Sequence, residues 1–423
     1  MPVRIKLEEL DSMDTIKKAF VLAGGNDQIE LIKGLKKRFP EAEVILIDMN
    51  PNVRAKDFAD RMLVISTMDF DKVLEAARKE NIDLIMSACG DQPMRTMAYV
   101  SDKMNLPCYI TFEQSQNLTN KVLMKKLMLE GDIPTSKYHR FNIQSEISID
   151  GLEFPLVIKP ADNNGSKGIQ KVYSQKEFED AIAEAKKFTL SGDLLVEEFK
   201  EGEEYSIEAF LRDGEPYIVF SSKNIKVKNR NTFTISSNEY IPVLSEKLAE
   251  RIKEIVVKIG KTFGIDNVPL LIQMIVNGED VSVIEFSART GGGSKLFFIR
   301  EMTGVDVIDN LIDITFGIKP EIEAVPSREN AIIKYVYVNP GTFNGIENLE
   351  ELEEEGYISA TYQYKPFGVT IQSSDYSSDR PVGFLVKGSS TQELEHKIAH
   401  INSRIKILDE NGQDIMRHDI FKE

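Results

Sequence analysis

Three polar side chains alternate along an apolar stretch in the second half of the chain. Glu285, Ser287 and Arg289 are two residues apart in the segment VSVIEFSART. In an extended strand such residues share one face, which leaves Ile284 and Phe286 to pack on the other. Mg²⁺ prefers oxygen ligands from one or two carboxylates together with nucleotide phosphates. The spacing indicates a metal-binding strand, and an internal Glu285–Arg289 ion pair is the structural alternative.

The preceding apolar segment, LLIQMIV, predicts a partner strand that carries Gln273. Asn277-Gly278 is a strong hairpin signal between the two strands. Gln273 shares the face of Glu285 if the turn has an odd number of residues, such as 277 to 279. The hairpin then presents an amide oxygen beside the carboxylate.

A run of three glycines follows Arg289 directly, in the order Thr290-Gly291-Gly292-Gly293-Ser294-Lys295. Glycine backbone can wrap a small anion, and the planar guanidinium of Arg289 suits a carboxylate or a phosphate. A flexible linker has a similar composition, but it rarely follows a strand that carries both Glu and Arg. We expect an anion-binding turn here.

A second glycine-containing segment, VIKPADNNGSKGIQKV, begins as a strand that delivers Lys159. The loop then supplies Gly165, Ser166, Lys167 and Gly168. Glycines let backbone N–H groups approach phosphate oxygens, and lysines add point charges. The chain contains no Walker A motif, and a strand follows this loop where a Walker A loop requires a helix. An ordinary hairpin loop is the alternative interpretation.

Two acids flank a bend in LLVEEFKEGEEYSIE. Glu197 ends a predicted strand and Glu204 lies seven residues later, beyond the turn at Gly202, so the two could reach different parts of one ligand. The backbone near Phe199 is available to pair with the edge of a base. Two surface glutamates beside a turn form the simpler alternative.

Short apolar runs alternate with amphipathic segments in the first hundred residues, which predicts a parallel sheet with crossover helices. The loop after one strand, 88–92, is a candidate substrate contact because ligands favour the carboxyl ends of parallel strands. The segment AGGNDQIE lacks the third glycine of a dinucleotide fingerprint, so Gly24-Gly25 predicts only a tight turn. The predicted strands are 19–23, 44–47, 84–87 and 108–111, and the predicted helices are 28–39, 70–80 and 93–105.

Beyond this region a helix is predicted at 119–130, followed mainly by strands. Asp213-Gly214 marks one hairpin, a long helix covers 246–263, and the acidic run near 350 predicts a solvated helix. The basic stretch of Lys223, Lys226, Lys228 and Arg230 suits phosphates or an acidic substrate, or else a mobile solvated loop. Further strands are predicted at 156–159, 168–172, 193–199, 205–211, 217–221, 270–276 and 281–287.

These motifs, in this order, resemble the ATP-grasp superfamily, most closely its carbamoyl-phosphate-synthetase and amino-acid-ligase branch, over about residues 1–320. The resemblance implies a mixed α/β and α+β fold. Its parts are a Rossmann-like domain at 1–113, a first ATP-grasp part with a glycine-rich lid at 114–200, a catalytic part with the metal strands at 201–326, and a C-terminal α+β subdomain at 327–423.

The resemblance also implies a role for each matching residue. Phosphate contacts fall to Lys121, Lys159 and the lid at 164–168, adenine contacts to Glu197 and Phe199, and ribose binding to Glu204. Gln273 and Glu285 are the implied metal ligands. The family usually has E-x-N-x-R here, so Ser287 is a weaker third ligand. Arg289 and the backbone around Gly292 are the implied contacts of the acyl phosphate and its oxyanion.

The activity implied is an ADP-forming carboxylate–amine ligase that acts through an acyl phosphate, for example on amino acids or dipeptides. ATP and two Mg²⁺ ions, replaceable by Mn²⁺, are the implied cofactors, and no general base is evident. Alternatives are a bicarbonate-activating or purine-pathway reaction, or a nucleotide-binding protein without turnover. The substrates are a small carboxylate and a small amine.

Composition agrees with a globular enzyme. A net charge of −16 argues against general nucleic-acid binding. No signal-peptide or membrane-spanning stretch is evident, and Cys89 and Cys108 are expected as reduced thiols. We therefore expect a cytoplasmic protein that does not associate with membranes, and a homodimer is compatible with it.

Overall fold

The computed structural model describes residues 16–145, 148–161, 168–189, 191–228 and 233–423. The first part is a four-stranded parallel sheet in the order β3-β2-β1-β4. Its strands are buried apolar runs, which is why helices must cover both faces. The elements are β1 (Lys18–Leu22), α1 (Asn26–Arg38), β2 (Glu43–Asp48), β3 (Arg61–Val64), α2 (Phe70–Glu80), β4 (Leu84–Met86) and α3 (Asp91–Met104).

The glycine pair after β1 makes a tight turn, as predicted. A Cβ on Gly24 would lie 2.3 Å from Val53, so only glycine fits. The N–H of Gly24 donates to Asp48 Oδ2 at 2.8 Å, and this hydrogen bond ties the ends of β1 and β2 together. The turn thereby fixes where α1 begins.

The predicted strand at 108–111 is wrong. Thr111 caps helix α4 (Phe112–Thr119) in a reciprocal capping box with Gln114, so local side-chain hydrogen bonds outweigh strand propensity. A second helix, α5 (Lys121–Glu130), follows at once, because Asn120 accepts from the N–H groups of Val122 and Leu123. The predicted helix at 119–130 therefore begins later than expected. Both cysteines are free thiols.

A smaller antiparallel sheet follows in the order β5-β8-β6-β7, with one helix packed against it. Its apolar residues form a core of their own, so this layer is a separate packing unit. The elements are β5 (Tyr138–Asn142), β6 (Leu156–Pro160), β7 (Gln170–Val172), α6 (Gln175–Ala185) and β8 (Asp193–Glu198).

The central antiparallel strands include the hairpin that was predicted to bind metal. The long helix α7 packs its buried face on this sheet, and Phe263 meets Phe286 edge to face at a centroid distance of 4.8 Å. Asp213 and Gly214 both have positive φ, as a two-residue hairpin turn requires. The elements are β9 (Glu203–Arg212), β10 (Glu215–Lys226), β11 (Ile235–Tyr240), α7 (Glu246–Phe263), β12 (Val268–Asn277), β13 (Asp280–Ser287), α8 (Lys295–Thr303) and α9 (Val307–Thr315).

The tail extends this same sheet, whose full order is β13-β12-β9-β10-β11-β14-β19-β17. The sheet therefore runs across the predicted boundary at 326, and the division at 113, 200 and 326 stays a prediction. The tail elements are β14 (Asn330–Tyr335), β15 (Gly341–Phe343), β16 (Gly345–Glu347), α10 (Leu349–Glu354), β17 (Ala360–Gln363), β18 (Val369–Ile371), β19 (Val382–Gly388), α11 (Thr391–Arg404), β20 (Lys406–Leu408) and α12 (His418–Phe421).

The combination of a parallel α/β sheet with a large antiparallel sheet confirms the predicted fold class. Within the ranges described, every helix is too short or too polar to cross a bilayer.

Candidate active site

The predicted hairpin is present, but a β-bulge, and not an odd-numbered turn, aligns its two strands. Asn277 pairs with Asp280, so the turn has two residues and not the odd number that was expected. An unbroken ladder would then place Ile284 opposite Gln273. A β-bulge shifts the register by one residue between Met274 and Gln273, and Glu285 becomes the partner of Gln273. The two side chains share a face as predicted, because of the bulge.

Lys121 provides the counter-charge for this row. Its Nζ lies 3.3 Å from Glu285 Oε2, and its side chain is almost buried whereas that of Glu285 is 37% exposed. The charge of Lys121 lowers the pKa of Glu285 and outweighs the opposing effect of burial. Glu285 is therefore an ionised carboxylate that faces a cleft, as a cation ligand requires.

Asp91 connects the first domain to the metal strand. It begins α3, in the loop at 88–92 that was predicted to contact substrate. Ser287 Oγ donates to Asp91 Oδ1 at 2.9 Å, and Arg289 Nε donates to the same oxygen at 2.6 Å. Burial would raise the pKa of Asp91, but the charges of Arg289 and Lys121 together with the hydrogen bonds from Arg289 and Ser287 lower it. The ion pair of Arg289 is thus with Asp91 and not with Glu285, the alternative considered from sequence.

These residues line one narrow cleft, whose walls include Asp91, Lys121, Gln273, Glu285, Ser287 and Arg289. A neighbouring, wider cleft shares Asp91 and Thr119 with it and extends past Arg95 towards Asp193. The two clefts therefore adjoin at one row of polar side chains.

The chemistry of the donor set fits Mg²⁺. Glu285 supplies a carboxylate and Gln273 a neutral oxygen, while Ser287 gives its proton to Asp91 and keeps its lone pairs. Across the part of the chain that the structure covers, no group of three or more acidic, His or Cys side chains could hold a metal. Such a carboxylate-poor set suits an ion that phosphate oxygens help to hold.

Glu197 is buried between two lysines. Lys159 Nζ lies 2.6 Å from Glu197 Oε1 and Lys125 Nζ lies 3.1 Å from Oε2, and all three side chains are at most 6% exposed. Burial would raise the pKa of Glu197, but the two lysines outweigh it and lower it. Glu197 thus fixes the position of Lys159, and its expected adenine contact stays a prediction. Sequence reasoning missed Lys125, although it lies one helical turn after Lys121.

The other expected nucleotide contacts lie around the smaller sheet. The N–H of Phe199 donates to the Pro155 carbonyl at 2.9 Å, so only its carbonyl is left for a base. Gly168 has a φ of +73°, and a Cβ there would lie 2.9 Å from Phe188. Of the predicted lid, Gly165, Ser166 and Lys167 lie outside the described residues.

Glu204 lies in a polar network on the central sheet. Asn224 Nδ2 donates to Glu204 Oε1 at 2.6 Å, and Lys226 Nζ lies 2.9 Å from Oε2. Lys223 pairs likewise with Glu203 at 2.8 Å. The first part of the basic stretch is therefore an ion-paired strand, not a mobile loop, and Arg230 lies outside the described residues.

The glycine run is packed on two sides and open in the middle. The N–H of Gly291 donates to Glu208 Oε2 at 3.2 Å, so it is not free to hold an oxyanion as we expected. The carbonyl of Gly293 accepts from Tyr335 Oη at 3.1 Å. A Cβ on Gly292 would meet nothing within 4 Å, which leaves this residue facing open space.

Sequence reasoning missed several residues behind this run, namely Asp27, Glu208, Lys295, Tyr335 and Arg380. The signal for Glu208 was present, because it alternates with Glu204 on one strand face. Arg380 gave no signal, since it lies in the tail and reaches the site only through the fold.

The buried triad of Lys125, Lys159 and Glu197 generates a stability prediction. Glu197→Gln leaves two buried ammonium groups without their counter-charge, so the free energy of unfolding in urea should fall by about 3–5 kcal/mol at pH 7. The matched control is Glu198→Gln, whose partner Lys137 is largely exposed. It should cost under about 1 kcal/mol.

The same variant has a predictable pH dependence. The lowered pKa of Glu197 contributes stability above its ordinary value of 4.5, and this contribution is lost as pH falls. The difference between wild type and Glu197→Gln should therefore shrink in acid. A difference that is constant from pH 7 down to pH 3 would contradict the ion-pair assignment.

The glycine run generates a second prediction. Gly293 has a φ of +74°, and a Cβ there would lie 2.6 Å from Arg380 Nη2. Gly293→Ala should lower the free energy of unfolding by about 2 kcal/mol. The neighbouring Gly292→Ala should cost under about 1 kcal/mol. Equal costs for the two variants in urea titrations would show that Gly293 is not constrained as described.

Comparisons with known proteins show what the chain is similar to. Residues 152–296 match the family described as an ATP-grasp domain. The phosphoribosylamine–glycine ligase of Lactococcus lactis subsp. lactis (strain IL1403) is 26% identical over 328 residues, which cover 73% of this chain and 77% of that protein.

Two solved structures share the fold. The L-amino acid ligase from Bacillus licheniformis superposes with a TM-score of 0.76 at 19% identity, covering 93% of this chain and 99% of that one. The biotin carboxylase domain of the Hydrogenobacter thermophilus 2-oxoglutarate carboxylase, in complex with MgADP, ADP and bicarbonate, gives a TM-score of 0.74 at 15% identity, covering 96% and 93%. The chain thus contains an ATP-grasp domain at residues 152–296, and it is similar to ATP-grasp ligases that form C–N bonds.

Proposed function

We propose that this enzyme joins a small carboxylate to a small amine, with amino acids or dipeptides as the substrate class, through an acyl phosphate formed from ATP. The observation that carries the proposal is the single cleft in which Glu285, Gln273 and Lys121 adjoin the Asp91–Arg289 pair. A cation ligand, a phosphate partner and a carboxylate partner thus lie on one face of the sheet.

The first step is attack of the substrate carboxylate on the γ-phosphate of ATP. Asp91 and the Thr290 carbonyl hold Arg289, whose remaining N–H groups can orient the carboxylate. Lys121, at the start of α5, and Lys159, held by Glu197, balance charge on the transferred phosphoryl group. Both lysines are fixed before the reaction, so little reorganisation is required.

Gln273, Glu285 and Ser287 are the residues that would hold Mg²⁺, and we propose two ions, with Mn²⁺ able to replace them. Bound there, the metal would neutralise the β- and γ-phosphate charge. Lys121 already provides part of this compensation next to Glu285.

The second step is attack of the amine on the acyl carbon. The open side of the glycine run at Gly292 lies next to Arg289, where the acyl oxygen would develop negative charge. The glycine-rich lid at 164–168 is expected to exclude water from the acyl phosphate. The cytoplasmic location and the homodimer stay predictions of the sequence.

The proposal is tested by ADP release in three parallel reactions with ATP and Mg²⁺. One contains a pool of proteinogenic amino acids, one contains bicarbonate and ammonium, and one contains neither. We expect ADP and new amide products, detected by mass spectrometry, only with the amino acids. Release that depends on bicarbonate would support the alternative ATP-grasp chemistry. ATP binding without ADP in any reaction would contradict an enzymatic role.

Glu285→Ala should lower ADP release at least 100- to 1000-fold, because it removes the carboxylate of the metal site. The fold should survive, since the Glu285 side chain is partly exposed and Asp91 still faces Lys121. Glu279→Ala in the turn of the same hairpin is the control, because its ion pair with Lys247 is largely exposed. Full activity in Glu285→Ala would mean that the metal site lies elsewhere.

A further inference from the structure

Four charged side chains from distant parts of the chain meet behind the glycine run, and we call them the rear cluster. They are Asp27 of α1, Glu208 of β9, Lys295 of α8 and Arg380, two residues before β19. Asp27, Glu208 and Lys295 are buried and Arg380 is partly buried, and none of the four is used by the steps derived above. Such a concentration of buried charge needs a compensating partner or a function.

One carboxylate oxygen of Glu208 accepts a hydrogen bond, and the other accepts none from the described residues. The residue is 4% exposed, and its Oε2 accepts from the N–H of Gly291 at 3.2 Å. Its Oε1 makes no hydrogen bond within the described chain, and Lys295, whose charge acts on this carboxylate, donates to Ser222 Oγ at 2.7 Å. Leaving a buried acceptor unpaired typically costs about 1–3 kcal/mol.

The position of Glu208 is set by the sheet. It lies opposite Leu271, which in turn lies opposite Ser287 of the metal strand. Directly paired residues of antiparallel strands point to the same face. Glu208 therefore belongs to the same polar row as Gln273, Glu285 and Ser287, at the end beside the glycine run.

Asp27 likewise has one carboxylate oxygen with a hydrogen-bond partner and one without. It is 7% exposed, its Oδ2 accepts from Cys89 Sγ at 3.3 Å, and its Oδ1 makes no hydrogen bond in the described part of the chain. Burial raises the pKa of Asp27 to about 6. Gln28 holds this helix start in place by accepting from the N–H of Ala88 at 3.0 Å.

The backbone brings the two carboxylates near each other, because Asp27 accepts from Cys89, Cys89 pairs with Thr290, and Glu208 accepts from the next residue, Gly291. Two acceptor oxygens that approach one place from distant parts of the chain suit a ligand that brings several N–H donors and a positive charge. A primary ammonium group has three such donors and one charge. The proposed second substrate is an amine, which at neutral pH arrives largely as this ion.

We propose that Glu208 and Asp27 bind the amine substrate as its ammonium ion, and that Glu208 accepts the proton whose removal frees the nitrogen lone pair. The inference rests on the proposed ligase function and supplies the general base that sequence reasoning could not name. Glu208 is thereby a catalytic residue, and Asp27 a binding residue.

The amine step consists of a proton transfer to Glu208 followed by acyl transfer to nitrogen. One N–H bond of the ammonium breaks, and its proton joins a Glu208 oxygen while the electron pair stays on nitrogen. That pair forms the C–N bond to the acyl carbon, and the C–O bond to phosphate breaks with its electrons on the leaving oxygen. The departing phosphate takes the second proton from nitrogen. The amide, hydrogen phosphate and neutral Glu208 result.

The electrostatic surroundings suit a base that works near neutral pH. Burial raises the pKa of Glu208 above the ordinary carboxylate range, while Lys295, the Gly291 N–H and Arg289 oppose this and Asp27 adds to it. Because a base acts in its deprotonated form, amide formation should increase with pH across the neutral range.

The test separates acyl-phosphate formation from amine attack. The amino-acid pool is supplied with ATP and Mg²⁺, with or without hydroxylamine, which is largely neutral at pH 7 and needs no base. Glu208→Gln should lower amide formation at least 100-fold, while the hydroxamate yield changes only a few-fold. The pH rise of amide formation should disappear in this variant. Glu215→Gln, an exposed carboxylate on the adjacent strand, is the matched control.

Asp27→Asn provides an independent variant. It should raise KM for the amine about tenfold and lower kcat much less, because it removes one charge from the binding pair. If Glu208→Gln does not fold, Glu208→Asp keeps the base, and it should preserve the pH rise at reduced rate.

Each remaining outcome overturns a defined claim. Equal losses of hydroxamate and amide in Glu208→Gln would show that Glu208 acts before the amine step, and an unchanged pH profile would show that it is not the base. Either result leaves the ligase function standing. If the wild-type enzyme forms neither product from the pool, the proposed function itself is wrong, and this inference falls with it.

Discussion

The cleft depends on one carboxylate that crosses between two layers of the protein. Asp91 belongs to the parallel sheet domain, yet its Oδ1 accepts from both Ser287 and Arg289 of the metal strand. A short parallel bridge between Cys89 and Thr290 joins the same two segments through the backbone. Because the carboxylate is largely buried and held ionised mainly by Arg289, displacing the first domain would separate a mostly desolvated charge pair. The relative position of these two parts of the chain is thus fixed at the proposed active site.

A second buried charge network surrounds Glu197, next to the lysine that we propose as a phosphate contact. Glu197 of the smaller sheet contacts Lys125 of α5 and Lys159 of β6, so one carboxylate orients two ammonium groups of the same sign. Lys121, one turn before Lys125, turns instead towards Glu285. Helix α5 therefore directs Lys125 towards the smaller sheet and Lys121 towards the metal strand. The Asn120 cap fixes the start of this helix and thereby the positions of both lysines.

Local patterns in the sequence were sufficient to predict many of the strand faces and turns. Alternation along 281–287 correctly predicts that Glu285 and Ser287 share one strand face, because strand geometry makes every second residue a neighbour. Turn chemistry at Asp213-Gly214 is equally local and is confirmed.

The bulge that pairs Glu285 with Gln273 was not predictable, because it reflects how the whole ladder fits its neighbours. The strand prediction at 108–111 is wrong because the capping box at Thr111 begins a helix there. Arg380 and Asp27 reach the site through tertiary structure alone. The roles of the individual site residues stay predictions.

The continuous eight-stranded sheet makes the tail inseparable from the enzyme. Strand β14 pairs with β11 and in turn with β19, and Tyr335 at the end of β14 donates to the carbonyl of Gly293. A chain ending near residue 326 would leave β11 as a bare edge, whose unpaired N–H and C=O groups invite association with other strands. It would also lose the wall against which the glycine run is packed. The last hundred residues are therefore better regarded as the completion of the catalytic sheet than as an appended module.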